Sequence, residues 1–228
     1  MGTIINGNKW SGACVNGNVV SGLVKNGAVF YKREQGYFLI EYTDINDIKS
    51  ESKYLDFSLL NNFTENNSNI KICKISNFNL TAFDYNLVDM FSNCYNLEAV
   101  DLSNFDTSNI TSLAWTFSNC YKLNNVNLNG FNTSNVTIMY NMFQTCKSLT
   151  DLDLSNFNTK KVTNMEEMFN GCNKLKNLDI SGFDFSSVKN SNRMFDGIPR
   201  DCLIKVKDQA SKDFVLGVRS DLTNVVIV

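Results

Sequence analysis

The chain has 228 residues, 43% of them hydrophobic, and a formal net charge of −2. That length allows one elongated domain, or a domain with a small module, and the apolar share is enough for a continuous core. A charge so near zero argues against partners held by charge, duplex nucleic acid or an anionic membrane, and no apolar run approaches the ~18 residues that membrane insertion needs.

At the N-terminus, "MGTIINGNKWSGACVNGN" has neither a basic stretch nor an apolar one, so no secretory signal is expected there. The expectation is a protein made in a cytoplasm that stays or leaves by another route. Asn6-Gly7, Asn16-Gly17 and Asn26-Gly27 recur every ten residues, with Ser11-Gly12 and Ser21-Gly22 halfway between. Asn-Gly supplies the positive φ values of two-residue hairpin turns. The spacing predicts a small β-meander or triangular β-coil over residues 1–32, with Trp10, Val20, Phe30 and Tyr31 as its apolar content. So small a unit is marginal alone and is expected to attach or oligomerise. Residues 33–69 break the later period and are expected to form an N-terminal cap, ending in a polar loop at 64–69.

From residue 70 the chain repeats itself. Phe91, Phe117, Phe143, Phe169 and Phe195 recur with a 26-residue period. The same period carries Cys94/Cys120/Cys146/Cys172, Leu97/Leu123/Leu149/Leu175, Leu102/Leu128/Leu154/Ile180, Phe105/Phe131/Phe157/Phe183 and Ile110/Val136/Val162/Val188. Ile75 and Phe78 stand one position more than a full period before Leu102 and Phe105, one degenerate repeat in a slipped register. A fixed period of this size predicts a solenoid over 70–200, whose units bury their apolar faces only against each other. The single proline, Pro199, comes at its end, and its absence elsewhere suits stacked coils that need every backbone N–H. Within a unit, "LxxVxL", as in Leu123–Leu128, alternates like a short strand. "VTxMxxMF", as in Val162–Phe169, has apolar residues at helical spacing, and Thr163 with Glu166 fits a capping box. The expected fold is an α/β repeat solenoid of 26-residue leucine-rich repeats, strand plus short helix, with a small all-β N-terminal module. Residues 201–228 are expected to close it with an α/β C-terminal cap: a strand at 203–206, a helix at about 209–216 and a last strand at 224–228.

The pattern "MFxxCxxLxxLDLSxFDTSxVTxM" over residues 86–200 resembles the BspA-like surface-protein branch of the leucine-rich repeats. That resemblance implies surface recognition or adhesion without catalysis. Residues 1–32 loosely resemble N-terminal attachment segments of phage tail-fibre and baseplate proteins. This second resemblance implies a phage or phage-tail-like receptor-binding component in a virion or tail particle. It would be joined to a tail or baseplate protein, directed at a bacterial surface protein or glycan, and trimeric. The alternative is a BspA-like adhesin or protein-interaction protein on a bacterial cell surface.

The candidate site is the outward strand face, in the register where leucine-rich repeats present a concave surface. Three columns line it: Ala99, Asn125, Asp151, Asn177; Asp101, Asn127, Asp153, Asp179; and Ser103, Asn129, Ser155, Ser181. This mildly acidic, hydrogen-bonding surface fits a glycan, a protein or a weak calcium site, and equally a merely solvated strand face. It shows no exposed aromatic for stacking on sugars. The cysteine column reads as a ladder of small buried hydrophobes rather than a metal site, because a linear column does not converge tetrahedrally. No catalytic residue, cofactor or metal is expected. The chain has no histidine, which excludes Ser-His-Asp and Cys-His catalysis and His-ligated zinc. Nothing desolvates Asp151/Asp153 or Glu166/Glu167 for acid catalysis, and no phosphate loop occurs. A loop-borne enzyme site is the remote third reading. The glycosylation patterns at Asn109, Asn132 and Asn135 follow from the repeat itself.

Overall fold

In the computed structural model, residues 87–103 and 107–228 are described throughout. Six earlier strands are described as elements: β1 (Thr3–Ile5), β2 (Asn8–Val15), β3 (Asn18–Lys25), β4 (Ala28–Arg33), β5 (Gly36–Asp44) and β6 (Ile70–Ser76). β1 to β6 pair antiparallel in chain order. The Asn-Gly pairs of the expected turns, and the polar loop at 64–69, lie outside the described residues.

Beyond β6 the pairing becomes parallel and the chain winds in coils. β7 (Ala99–Asp101) and β8 (Asn125–Asn127) extend the first sheet, with Ile72↔Ala99 and Ala99↔Asn125 as partners. The first offset is one position longer than the second, as the slipped register requires. A second parallel sheet holds β9 (Asp151–Asp153), β10 (Asn177–Asp179), β11 (Leu203–Val206) and β12 (Val225–Ile227), in the order β12-β11-β10-β9. Helix α1 (Gln209–Val218) lies between β11 and β12, and Asp208 caps it by accepting a hydrogen bond from the Ser211 N–H at 2.7 Å.

The result is a parallel β-solenoid of about four turns. One wall is made of the short strands. On the opposite wall the expected helix is absent. In residues 162–175, alternate N–H groups leave the coil altogether: Met165, Glu167, Phe169 and Gly171 donate to Asn190, Asn192, Met194 and Asp196 of the next coil at 2.7–3.0 Å. The groups between them close three-residue turns, Met168 to Met165, Asn170 to Glu167 and Cys172 to Phe169. An α-helix instead sends every N–H four residues back. This ribbon of turns bends through left-handed residues in two columns, Asp89/Trp115/Asn141/Glu167/Arg193 and Asn93/Asn119/Thr145/Gly171/Gly197. No helix accommodates these. The capping box fails with it: the Glu166 N–H donates to Asn164 Oδ1 at 2.9 Å, and Thr163 Oγ1 reaches the Thr137 carbonyl. The apolar spacing misleads because a chain of three-residue turns buries the same positions as a helix face.

The loss of the helix removes the reason for a horseshoe. Helices stack at 8–10 Å and strands at about 4.8 Å, and that mismatch curves a repeat array. Here both walls are joined by β-type bonds, with parallel bridges Ser112↔Ile138↔Asn164↔Asn190 on the turn wall. The candidate face is therefore the strand wall of a β-solenoid rather than the strand side of a helix-backed array.

Between the walls the core is columnar. The rings of Phe91, Phe117, Phe143, Phe169 and Phe195 stack at centroid spacings of 5.2–6.1 Å, and Phe131, Phe157 and Phe183 form a second stack at 6.1 and 6.4 Å. All are buried. Buried threonines stitch the coils: Thr159 Oγ1 accepts from the Asp184 N–H at 2.7 Å and donates to the Asp184 carbonyl at 2.8 Å, and Thr133 does the same with Asn158.

Candidate functional site: the strand wall

β7 to β10 are each only three residues long, because the third residue ends the strand. Asp101, Asn127, Asp153 and Asp179 accept from the backbone N–H two residues on, at Ser103, Asn129, Ser155 and Ser181, over 2.9–3.2 Å. These Asx turns take the chain around the corner into the coil. The central column of the candidate face is thus first a turn-forming device. Of the third column, Ser181 also donates its hydroxyl to Asp179 at 2.6 Å, whereas Asn129 and Ser155 are exposed.

The first column is tied along the axis. Asn177 Nδ2 donates to Asp151 Oδ1 at 2.6 Å and Thr150 Oγ1 to Asp151 Oδ2 at 2.7 Å. The Thr150 bond, then the Asn177 bond, hold the Asp151 carboxyl below its ordinary range. Asp179 is pushed up by burial, but its bonds from Ser181 and Lys205 outweigh that and leave it lowered as well. Lys205 Nζ lies 3.3 Å from Asp179 Oδ2. These bonds hold both carboxylates in the charged form. Among the described residues no group of His, Cys, Asp or Glu side chains converges on a metal site.

One junction in the wall differs. β7/β8, β9/β10, β10/β11 and β11/β12 are all paired, but among the described residues β8 and β9 are not. A shallow cavity of about 330 Å³ runs over the wall from this gap across β9 and β10 to Lys205 of β11. Asn125, Asp151 and Asp153 rim it, with Val126 and Leu152 beneath. Val126 is half-buried, while its counterparts Val100, Leu152 and Leu178 are 1–4% exposed. The candidate residues therefore do not form one uniform surface: Asn125, Asp151, Asp153, Asn177 and Asp179 line this cavity, whereas Asn127 is not part of its lining and Asp101 and Ser103 stand one strand away from it.

One feature was not legible in the columns. Tyr95 and Tyr121 are exposed away from the strand wall and stack at 5.0 Å, with Lys147 Nζ 4.4 Å from the Tyr121 ring centre. The neighbouring coils occupy both faces of Tyr121, so it offers its edge and no platform for a sugar. Among the described residues, Cys94, Cys120, Cys146, Cys172 and Cys202 are free and buried. Cys120, Cys146 and Cys172 donate their S–H to the Phe91, Phe117 and Phe143 carbonyls at 3.0–3.2 Å. Burial raises every one of these thiols, Cys94 and Cys172 to about 12 and Cys202 to about 11. No reactive thiolate forms at neutral pH.

Fold and wall together define a parallel β-solenoid with 26-residue coils and a polar, interrupted strand face. Residues 85–201 match the family described as Mycoplasma protein of unknown function, DUF285, and the chain belongs to that family. The match covers the span of the BspA-like resemblance with one residue more at each end, and does not reach the segment likened to phage attachment modules. No curated protein and no solved structure matches the chain. No helix among the described residues is long and apolar enough to cross a membrane.

Proposed function

We propose that the protein is a non-enzymatic recognition protein, acting in adhesion or protein interaction through the strand wall of its solenoid. The observation that carries this is the opening between β8 and β9, where polar side chains rim exposed apolar surface on an otherwise closed wall. Membership of a repeat-solenoid family supports it, because such arrays bind through extended faces. The want of any histidine and the protonated, buried thiols support the non-enzymatic part. The partner is a bacterial surface protein or glycan and the setting a cell surface. A phage-tail component is the finer form of the reading; it rests on residues 1–32 alone and draws no support from the family match.

The test uses the labelled full chain on intact bacterial cells, with Asp151→Asn/Asp153→Asn against Lys161→Ala on another face of the coil. Asparagine keeps the turn acceptor of Asp153, so folding is spared. Saturable binding that weakens about tenfold in the first variant and not in the second is expected. Equal binding by both variants removes the strand wall from the reading.

A further inference from the structure

The opening between β8 and β9 is a pair of unsatisfied strand edges. Asn125 and Asn127 turn their backbone groups to β7, through Asn125 N–H to the Glu98 carbonyl and Leu102 N–H to the Asn127 carbonyl. The groups of Val126 therefore point toward β9. On the other side, the Thr150 carbonyl accepts from Asn177 and the Leu154 N–H donates to Asp179, so Asp151 and Asp153 point toward β8. At the other junctions the equivalent bonds form: Asn177 to Thr150, Leu203 to Lys176, Leu154 to Asp179 and Ile180 to Lys205. Their counterparts here, Asp151 N–H to the Asn124 carbonyl and Leu128 N–H to the Asp153 carbonyl, do not form among the described residues. Unpaired backbone groups are costly to leave inside a sheet.

A local cause is visible. After β8 the chain reads Asn129-Gly130 where the neighbouring coils read Ser155-Asn156 and Ser181-Gly182. Gly130 has φ +79°, a left-handed turn that Asn156 and Gly182 do not take. The coil whose corner turns differently is the coil whose strand fails to meet the next.

We propose that this slot receives an extended, lysine-bearing segment of a partner polypeptide, whose backbone hydrogen-bonds the open edges of β8 and β9 and completes the sheet. The inference rests on the strand wall being the recognition surface, and it names the kind of partner. An open strand edge displays donors and acceptors alternately, at the repeat of another extended chain. Side chains set the charge: Asp151, Asp153 and Asp179 stand around the cavity against Lys205 alone, three carboxylates to one ammonium. An alternating segment fits both demands, with lysines toward the aspartates and small apolar residues over Val126.

The probes are two capped heptapeptides, one alternating lysine with valine and one alternating glutamate with valine, titrated into the isotopically labelled full chain. Amide exchange is first measured without peptide. Faster exchange at Val126, Asp151 and Asp153 than at Asn125 and Asn177 is expected; equal protection means the sheet is closed and overturns the proposal. The lysine peptide should bind saturably below about 1 mM, shift amides of 124–128 and 150–154, and slow their exchange. No saturation, shifts confined elsewhere, or equal binding of the glutamate peptide overturns it. Asn129→Ser/Gly130→Asn restores the corner of the following coil and should close the slot, keep the fold and weaken the peptide about tenfold or more. Undiminished binding by that folded variant also overturns it. If the peptides fail while Asp151→Asn/Asp153→Asn still loses cell binding, the slot falls and the recognition wall stands.

Discussion

At the scale of the residue, the chain spends its polar side chains on its own backbone. Thr159 shows the logic. Its hydroxyl is fully buried and both accepts and donates, satisfying the N–H and C=O of Asp184 in the next coil at once. Thr159→Val keeps the shape and orphans two buried groups, which costs about 2–3 kcal/mol. Thr159→Ser keeps the hydroxyl and loses only a methyl group, at about 1 kcal/mol. Urea unfolding of the two variants checks this, and the valine variant should be the weaker. The same economy governs Asp153 and Asp179. Their carboxylates invite a reading as ligands, but one oxygen of each is committed to a turn. Asn125 on the first column and the second oxygen of Asp153 are left to meet a partner at the opening, whereas both oxygens of Asp151 already accept, from Asn177 and Thr150.

At the scale of the element, the turn ribbon is where sequence and structure part. Its left-handed positions mostly carry residues that tolerate positive φ, such as Asn93, Asn119, Gly171 and Gly197. Thr145 is the one β-branched residue among them, at φ 55°. It is held there by its hydroxyl bond to Asn119 Oδ1 at 2.5 Å and by the inter-coil bond of its N–H to Asn170. Asn119 makes the equivalent bond to Asn93 through its amide, at 2.9 Å. Thr145→Asn therefore keeps the ladder and relieves the strain. Thermal unfolding should show a gain of about 1 kcal/mol, a rise of a few degrees. A helix at this position would predict the opposite sign only weakly, since Thr and Asn have similar helix propensity. The measured shift thus also separates the ribbon from the helix first expected.

At the scale of the whole molecule, the solenoid behaves as a stack in which each coil needs only its neighbours. Deleting residues 143–168 removes one full period and joins Met142 to Phe169, a Met-Phe step like the native one. That variant should fold with the same β-type circular dichroism and a modestly lower melting temperature. Deleting 143–167 instead makes one 27-residue coil, with the extra residue in the turn ribbon, where it breaks the alternation of inter-coil N–H bonds, and should lower the melting temperature further than the in-period deletion.

The period, the strands, the inward columns of Phe, Leu and Cys and the family were all present in the sequence, because burial recurs once per coil and only apolar side chains survive there. The strand-wall columns were legible too, as positions. Three things were decided only in three dimensions. The second wall is a ribbon of turns rather than a helix, because half its N–H groups find partners in the next coil, and a linear pattern does not record where a donor points. The coils form a β-solenoid, because both walls are joined by strand-type bonds. And the face is interrupted between Asn125–Asn127 and Asp151–Asp153, beside a left-handed corner at Gly130, because a linear pattern aligns two strands without recording the backbone turn that follows them.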